Sequence, residues 1–305
     1  MLVFLINDLI IVAGVCVQIT RKLAGAAAGT AAWATNVGNE HGQILVSVLT
    51  AVEGAGLADM AAGLMNRYLQ AQQPPPVLLY VDRDCCGAAT RRLFDRWHDL
   101  VIRLDIWHFM RRLASCCTTE SHQLYGLFMS KLSACIFQWD SEDISALRRA
   151  KAAELGQRGV SGLSEADVQR HITRRELALH CRRATRGVEE TTRLLQELIT
   201  CFDGDRGKDS LGVPLLDHDR IQQTWTEQRQ HVACLQDTPG LSLYTKTGSL
   251  VKGGVELPTF RCARGSTSVE SFHHHLAKFV PGAIDRCQLM SECITVGQIY
   301  ALNRR

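Results

Sequence analysis

The sequence predicts an α/β protein with a mixed β-sheet flanked by helices, and three observations support this class. Residues 77–81, VLLYV, form the short continuous apolar run of a strand buried on both faces. Residues 31–37 and 43–52 are β-branched runs joined by Gly and Asn, which predicts a hairpin. Residues 56–72 have helical spacing of their apolar positions. Strands and helices, among them a helix over residues 89–100, then alternate up to residue 120, as α/β folds require.

Changes in pattern along the chain predict four sections. Residues 1–18 form an atypical apolar leader, which could also be a buried strand, and residues 19–120 form the first part of the α/β core. Residues 121–240 are an all-helical insertion, because charged outer faces recur there at helical spacing and strand signals are scarce. One helix is expected over residues 164–184, and Asp140 and Ser164 are expected N-caps. Residues 241–305 form an extended loop and a C-terminal helix that completes the core.

Composition excludes few functions. The chain has 305 residues, 46% of them hydrophobic and 21% charged, with a formal charge of +3, which permits an anionic partner without requiring one. The 12 cysteines occur without zinc-ribbon spacing, and we expect most of them to be reduced core residues in a nuclear or cytoplasmic protein. The apolar start is interrupted at Asn7 and Asp8, so we expect no membrane span.

Acidic residues follow two predicted strands. Asp82 comes directly after the buried strand, with Asp84 as an alternative two residues later, and ligands of open α/β sheets bind at such strand ends. A carboxylate there can bind a divalent metal, or it can cap the loop. Asp105 ends the next strand, and His108 lies three residues on, within one helical turn. Asp105 could instead be an N-cap, with His108 as a core histidine.

The last acidic candidate is Glu270, at the start of the predicted helix 267–280. Thr267 and Glu270 have the spacing of a capping box, which is a purely structural alternative for this glutamate. Of the three consecutive histidines that follow, at most one can meet Glu270 across a helical turn, either His273 or His274. A zinc site made of these histidines is disfavoured because no pair has the His-x-x-x-His spacing.

In this order, the segments YVDRD, DIWH and STSVES resemble the RNase H-like core of DDE transposases, in particular the Mutator-like and hAT-like group. Residues 261–282 and 29–43 also resemble transposon-derived proteins that occur in many copies in fish genomes. The resemblance covers roughly residues 19–282 and matches Asp82 to the second catalytic Asp and Glu270 to the catalytic Glu. Asp105 and His108 match the supporting x-x-His motif.

The resemblance implies DNA as the partner, and Mg²⁺ or Mn²⁺ held by Asp82, Glu270 and a third carboxylate for phosphodiester cleavage and strand transfer. That third residue is expected between positions 11 and 18, where the chain has Gly14, Val15 and Cys16 and no acidic residue. We therefore expect a degenerate, inactive protein, and whether it is an enzyme at all stays open. If no site survives, no metal cofactor is expected.

Two other interpretations remain. The fold could serve as a non-catalytic module that binds nucleic acid or protein, with Arg174, Arg175, Arg182 and Arg183 contacting phosphates. These arginines could equally form a solvated helix face, because acidic residues lie close to them. Alternatively, Asp82 and Glu270 could lie apart in a metal-free helical scaffold. The sequence predicts no oligomeric state.

Overall fold

A computed structural model describes residues 10–16, 33–50, 57–160 and 162–279. The chain divides into two compact units, one formed by Met1–Phe109 with Arg264–Arg305 and the other by Met110–Ala263. Asn7, Asp8 and the tail after residue 279 lie outside the described residues. Among the helices that are described, none is long and apolar enough to cross a membrane.

The first unit contains a five-stranded mixed sheet, which confirms the predicted α/β class. Its strands are β1 (Ile10–Cys16), β2 (Trp33–Asn39), β3 (Ile44–Thr50), β4 (Leu78–Val81) and β5 (Val101–Leu104). Their order across the sheet is β3-β2-β1-β4-β5. β1, β2 and β3 pair antiparallel, whereas β1, β4 and β5 run parallel.

The central strand of this sheet, β1, comes from residues 1–18, for which the sequence left open a buried strand or an atypical leader. β1 pairs with β2 on one side and β4 on the other, and Ile10 and Ile11 are buried. A strand buried on both faces is apolar at every position, so its sequence has no alternation to distinguish it from other apolar segments. The core therefore begins before residue 19.

Among the described residues, helices α1 (Leu57–Gln70) and α2 (Ala88–Leu93) precede the second unit, and α3 (Ile106–Ala114) begins in the first unit and continues into the second. α1 buries one apolar stripe against the sheet. The shared core of α1 and the sheet contains Ile11, Val37, Met60, Leu64, Tyr68, Leu79 and Trp97. The helix predicted over residues 89–100 is shorter than expected, since α2 ends at Leu93 and turns follow.

The second unit is mainly helical, with two separate two-stranded antiparallel sheets. Its helices are α4 (Tyr125–Ile136), α5 (Ser141–Gln157), α6 (Glu165–His171), α7 (Arg174–His180), α8 (Val188–Phe202) and α9 (His218–Gln228). The strands are β6 (Phe137–Trp139), β7 (Arg183–Thr185), β8 (Tyr244–Lys252) and β9 (Val255–Cys262). Asp140 and Ser164 cap α5 and α6, as their sequences predict.

Two features of this unit differ from the sequence expectation. The single helix expected over residues 164–184 is divided, because a second capping box begins at Thr173 and starts α7. The β8–β9 hairpin belongs to the helical unit and not to the sheet unit, since it packs on α5 and α7. Lys151 and Lys252 both pair with Glu154 and Glu176, which joins the hairpin to these two helices.

The chain returns to the first unit in the last described helix, α10 (Thr267–Phe279), which was predicted over residues 267–280. α10 packs on β1 and β2, and Val269 is fully buried there. The first unit is therefore discontinuous, and its last described helix comes more than 150 residues after α3. This packing brings Glu270 to the sheet that bears Asp82 and Asp105.

Candidate functional site

The candidate site lies in the first unit, at the ends of the two parallel strands β4 and β5. Val81 pairs with Leu104, so Asp82 and Asp105 are the next residues along the two neighbouring strands. The backbone N–H of Asp105 donates to the carbonyl of Val81 at 2.8 Å, which continues the pairing by one step. The sheet thus brings both predicted acidic residues to one edge.

Asp105 is buried and its carboxylate accepts three hydrogen bonds. One oxygen, Oδ1, accepts from the backbone N–H of His108 at 2.9 Å and lies 3.1 Å from Nδ1 of the same histidine. The other, Oδ2, accepts from the backbone N–H of Ser266 at 2.5 Å. Asp105 therefore caps α3, orients the imidazole and secures the chain at the start of α10. Asp105 is thus the N-cap of α3 and also the residue that positions His108, so these two predicted roles are compatible.

These contacts shift both ionisation equilibria. Burial raises the pKa of Asp105, but the hydrogen bonds from His108 and Ser266 outweigh it, and the net pKa is lowered. Burial lowers the pKa of His108, but the hydrogen bond and charge of Asp105, with the charges of Asp82 and Glu270, raise it overall. The arrangement therefore favours an imidazolium held beside a carboxylate.

Glu270 faces this histidine from α10. Its Oε1 lies 3.7 Å from Nε2 of His108, and its Oε2 lies 3.7 Å from Nδ1 of His273. The predicted capping box is wrong, because the N–H of Glu270 donates to the carbonyl of Ser266, which makes Ser266 the N-cap. Glu270 is then one residue too late for a capping box, and its carboxylate is directed to the two histidines instead.

His273 is the histidine that meets Glu270, three residues along the helix. Its ring is buried, and Nε2 lies 2.7 Å from the amide nitrogen of Asn36, which can only donate. Nε2 therefore accepts, and in the neutral ring Nδ1 carries the proton towards Glu270. The hydroxyl of Ser47 donates to Asn36 Oδ1 at 2.5 Å, so Ser47, Asn36 and His273 form a continuous series of hydrogen bonds. Sequence reasoning missed Asn36 and Ser47, which carry no local signal of this role.

Asp82 and Asp84 have different surroundings. Asp82 is 15% exposed, its Oδ1 lies 3.8 Å from the Arg83 guanidinium, and its charge acts on His108 together with that of Glu270. Asp84 accepts from the N–H and the hydroxyl of Thr90, at 2.6 and 2.9 Å, and so secures the loop before α2. This engagement makes Asp82 the better candidate for the site.

The first strand contributes no carboxylate at this edge. Ala13 pairs with Val81, so the next position, Gly14, continues beside Asp82. Gly14 also pairs with Asn36 across β2, and cross-strand partners lie on the same sheet face. Position 14 is therefore in register with Asp82 and Asp105 and next to the Asn36–His273 pair. The described part of the first strand, residues 10–16, contains no acidic residue.

The four arginines proposed as phosphate contacts divide into two pairs. Arg182 makes a bidentate ion pair with Asp143 at 2.8 and 3.0 Å, and Arg183 stacks 3.9 Å above the ring of Phe137. Both have structural contacts within the second unit. Arg174 and Arg175, on the first turn of α7, are exposed to solvent. Of the four arginines, only Arg174 and Arg175 have the solvent exposure that contact with phosphates requires.

The site therefore contains the carboxylates of Asp82 and Glu270, whose charges both act on the imidazole of His108. Carboxylate oxygens suit a hard divalent cation. Asp105 is engaged by three donors, and position 14 is a glycine, so the residues present do not supply three carboxylates for a pair of ions. In comparisons with known proteins, the chain matches no protein-family model, no curated protein and no solved structure.

Proposed function

We propose that this chain is a transposase-derived protein with an RNase H-like core whose acidic site is catalytically degenerate. The observation that carries the proposal is the register of β1, in which Gly14 occupies the position beside Asp82. A third carboxylate at this position would face the same sheet edge as Asp82. Without it, Asp82 and Glu270 alone supply too few oxygen ligands to the metal ions for Mg²⁺- or Mn²⁺-dependent DNA strand cleavage and transfer.

Three further features support the origin. The mixed sheet has Asp82 and Asp105 at the ends of adjacent parallel strands, as the resemblance to DDE transposases implies. Glu270 arrives on a helix that follows a long, mainly helical segment, and it acts on the same imidazole as Asp82. Asp105 positions His108, the arrangement expected of a supporting x-x-His motif.

Restoring the missing ligand tests this proposal. We expect Gly14→Asp to bind Mn²⁺ at least about tenfold more tightly than the wild type, because a third carboxylate completes the set around the metal. Isothermal titration would give the affinities, and nicking of a supercoiled plasmid would detect cleavage. Gly14→Asn is the matched control, since it has nearly the same volume and no charge.

Two results would contradict the proposal. Mn²⁺-dependent nicking by the wild-type chain, abolished in Asp82→Ala, would show that the site is active as it stands. Equal Mn²⁺ affinities for folded Gly14→Asp and Gly14→Asn would show that position 14 is not a lost ligand position. Thermal unfolding of each variant distinguishes a lost metal site from a lost fold.

A non-catalytic DNA-binding module on the same fold is the second candidate. Arg174 and Arg175 favour it, because they are exposed side by side at the start of α7. Binding through such residues falls steeply with salt, since each phosphate contact releases counterions. A gel-shift titration at increasing salt, with the double variant Arg174→Gln and Arg175→Gln, measures their share; unchanged affinity in that variant removes the support.

A further inference from the structure

The second unit contains a cleft where the ends of α5 and α7 meet strand β8 and its turn. The volume of the cleft is about 360 Å³, which lies within the range of small-molecule sites. Its walls are formed by Glu154, Gln157, Arg158, His180 and residues 250–253. All of these residues belong to one compact unit, and the acidic site belongs to the other. The cleft is therefore a separate candidate for ligand binding.

Ion pairs hold the charged walls of this cleft in place. The carboxylate of Glu154 lies 3.0 Å from Nζ of Lys151 and 3.3 Å from Nζ of Lys252. It also lies 2.8 Å from the guanidinium of Arg158. Glu176 on α7 pairs with the same two lysines. Because these pairs join both helices to the hairpin, the walls are ordered before a ligand arrives, which lowers the cost of binding.

This network has more positive than negative groups. Three cationic side chains, Lys151, Lys252 and Arg158, pair with only two carboxylates, those of Glu154 and Glu176. The carbonyls at the end of α5 accept hydrogen bonds from the backbone N–H groups of residues 158–160, which weakens the negative end of that helix. The charge balance of the cleft therefore favours an anionic ligand over a cationic one.

Arg158 is the cation that can turn to such a ligand. Its side chain is 68% exposed, whereas those of Lys151 and Lys252 are 11% and 20% exposed. The hydrogen bond from Lys151, and then that from Lys252, lower the pKa of Glu154 against the effect of burial. Glu154 therefore stays compensated by two lysines when Arg158 leaves it. A guanidinium presents two parallel N–H donors, which match the two oxygens of a carboxylate.

His180 adds a hydrogen-bond acceptor to the wall of the cleft. The residue is only 5% exposed, and its Nδ1 lies 2.8 Å from the carbonyl oxygen of Pro258. A carbonyl can only accept, so Nδ1 carries the proton, and in the neutral ring Nε2 is an acceptor. Within the described part of the chain, no group hydrogen-bonds to this Nε2. A ligand hydroxyl that donates to Nε2 would supply the missing partner.

The remaining wall is apolar, since Leu250 and Val251 line the cleft and are 52% and 73% exposed. We propose that the cleft binds a small carboxylate that also bears a hydroxyl group. The carboxylate pairs with Arg158, the hydroxyl donates to Nε2 of His180, and a short hydrocarbon chain covers part of Leu250 and Val251. The inference does not rest on the proposed function, because it uses no residue of the acidic site.

Three molecules of similar size test the site in the full-length protein. β-Hydroxybutyrate has both groups, butyrate lacks the hydroxyl, and the corresponding diol has a hydroxyl in place of the carboxylate. NMR titration of the His180 ring signals gives the three affinities. We expect β-hydroxybutyrate to bind saturably and at least about threefold more tightly than butyrate, since butyrate leaves Nε2 without a donor. The diol should bind at least about tenfold more weakly than β-hydroxybutyrate, because it forms no charge-assisted hydrogen bond.

Substitution of Arg158 tests the contact with the carboxylate. Arg158→Gln should weaken the binding of β-hydroxybutyrate at least about tenfold, since glutamine keeps a polar side chain but has no charge. The fold should be retained, because both lysines still pair with Glu154. Arg170→Gln is the matched control, since Arg170 is 75% exposed and pairs with Asp167 on α6, outside the cleft. It should leave the affinity unchanged.

His180→Asn tests the contact with the hydroxyl. The asparagine amide can still donate to Pro258, but the acceptor at Nε2 is lost, so the preference for β-hydroxybutyrate over butyrate should disappear. Isothermal titration gives the affinities of this variant. Absence of saturable binding of β-hydroxybutyrate by the wild type would overturn the proposal, as would an unchanged affinity in folded Arg158→Gln. Circular dichroism establishes the fold of each variant, and if His180→Asn does not fold, the three ligands and Arg158→Gln decide the outcome.

Discussion

A single carboxylate, Asp105, organises the acidic site at the residue scale. It caps α3, holds the ring of His108 and accepts the N–H of Ser266. A Cβ at Gly265 would lie 2.7 Å from Asp105 Oδ2, so the backbone approaches this closely only because residue 265 is glycine. Removing one partner of such a buried network costs more than a surface hydrogen bond, since the remaining donors are left unsatisfied.

We predict that Asp105→Asn lowers the pKa of His108. The substitution removes a negative charge 3.1 Å from Nδ1, which together with Asp82 and Glu270 raises that pKa. Titration of the His108 ring by NMR measures the change. Asp95→Asn, an exposed substitution in the same unit, is the control. A His108 pKa equal in wild type and Asp105→Asn would contradict the assignment.

The same pair gives a pH dependence of stability. His108 has a raised pKa, so its contribution is fully present below the unfolded value and is lost as pH rises through the folded pKa. Asp105 has a lowered pKa, so its contribution is lost as pH falls through its folded pKa. The destabilisation by Asp105→Asn, measured by urea unfolding, should be greatest between the ordinary pKa of Asp, 3.8, and the ordinary pKa of His, 6.5, where both contributions are fully present.

At the element scale, the β8–β9 hairpin is attached to α5 by its turn. Gly253 and Gly254 both have positive φ, 56° and 80°. A Cβ at Gly253 would lie 2.6 Å from the carbonyl oxygen of Ala150, whereas a Cβ at Gly254 would meet nothing within 4 Å. Both glycines therefore share the left-handed backbone, but only Gly253 is packed closely against α5, so a comparison of the two isolates the effect of packing.

We predict that Gly253→Ala destabilises the protein more than Gly254→Ala. The left-handed backbone costs either alanine about 1–2 kcal/mol. The clash with α5 adds about 1–3 kcal/mol at position 253 alone, because helix backbone cannot move aside cheaply. Urea unfolding of both variants gives the free energies. Equal losses would mean that the turn does not pack on α5 as described.

At the scale of the whole molecule, the chain has two units with separate cores. The second unit is continuous in sequence, and its buried apolar residues include Phe128, Leu132, Leu195, Ile199 and Trp225, with a further cluster around Leu147. The first unit is interrupted by it and is completed only by α10. Continuous units with their own core can fold alone, whereas a unit that lacks a helix leaves apolar surface exposed.

We predict that fragment 106–263, which keeps α3 intact, folds cooperatively by itself. Fragment 1–105 should not, because it lacks the α10 residues Val269 and His273 that pack on the sheet. Far-UV circular dichroism and urea unfolding of both fragments provide the measurement. A non-cooperative transition for fragment 106–263 would mean that its core depends on the rest of the chain.

The sequence by itself determined the α/β class, most helices and strands, and the residues that end β4 and β5. These features follow from local periodicity and from caps and turns within a few residues. The helix of Glu270 and its possible contact with one histidine, at spacing three or four, were also local, and the structure selects His273. The predicted capping box of Thr267 and Glu270 was wrong because a helix start can shift by one residue without changing the apolar pattern of the helix.

Only the tertiary structure decided which distant residues meet. It placed Ile10–Cys16 at the centre of the sheet, Gly14 in register with Asp82, and Asn36 against His273. It also exposed Cys86 beside Cys85. Strand pairing and loop exposure depend on contacts between residues far apart in the chain. The local spacing of residue types does not predict such contacts.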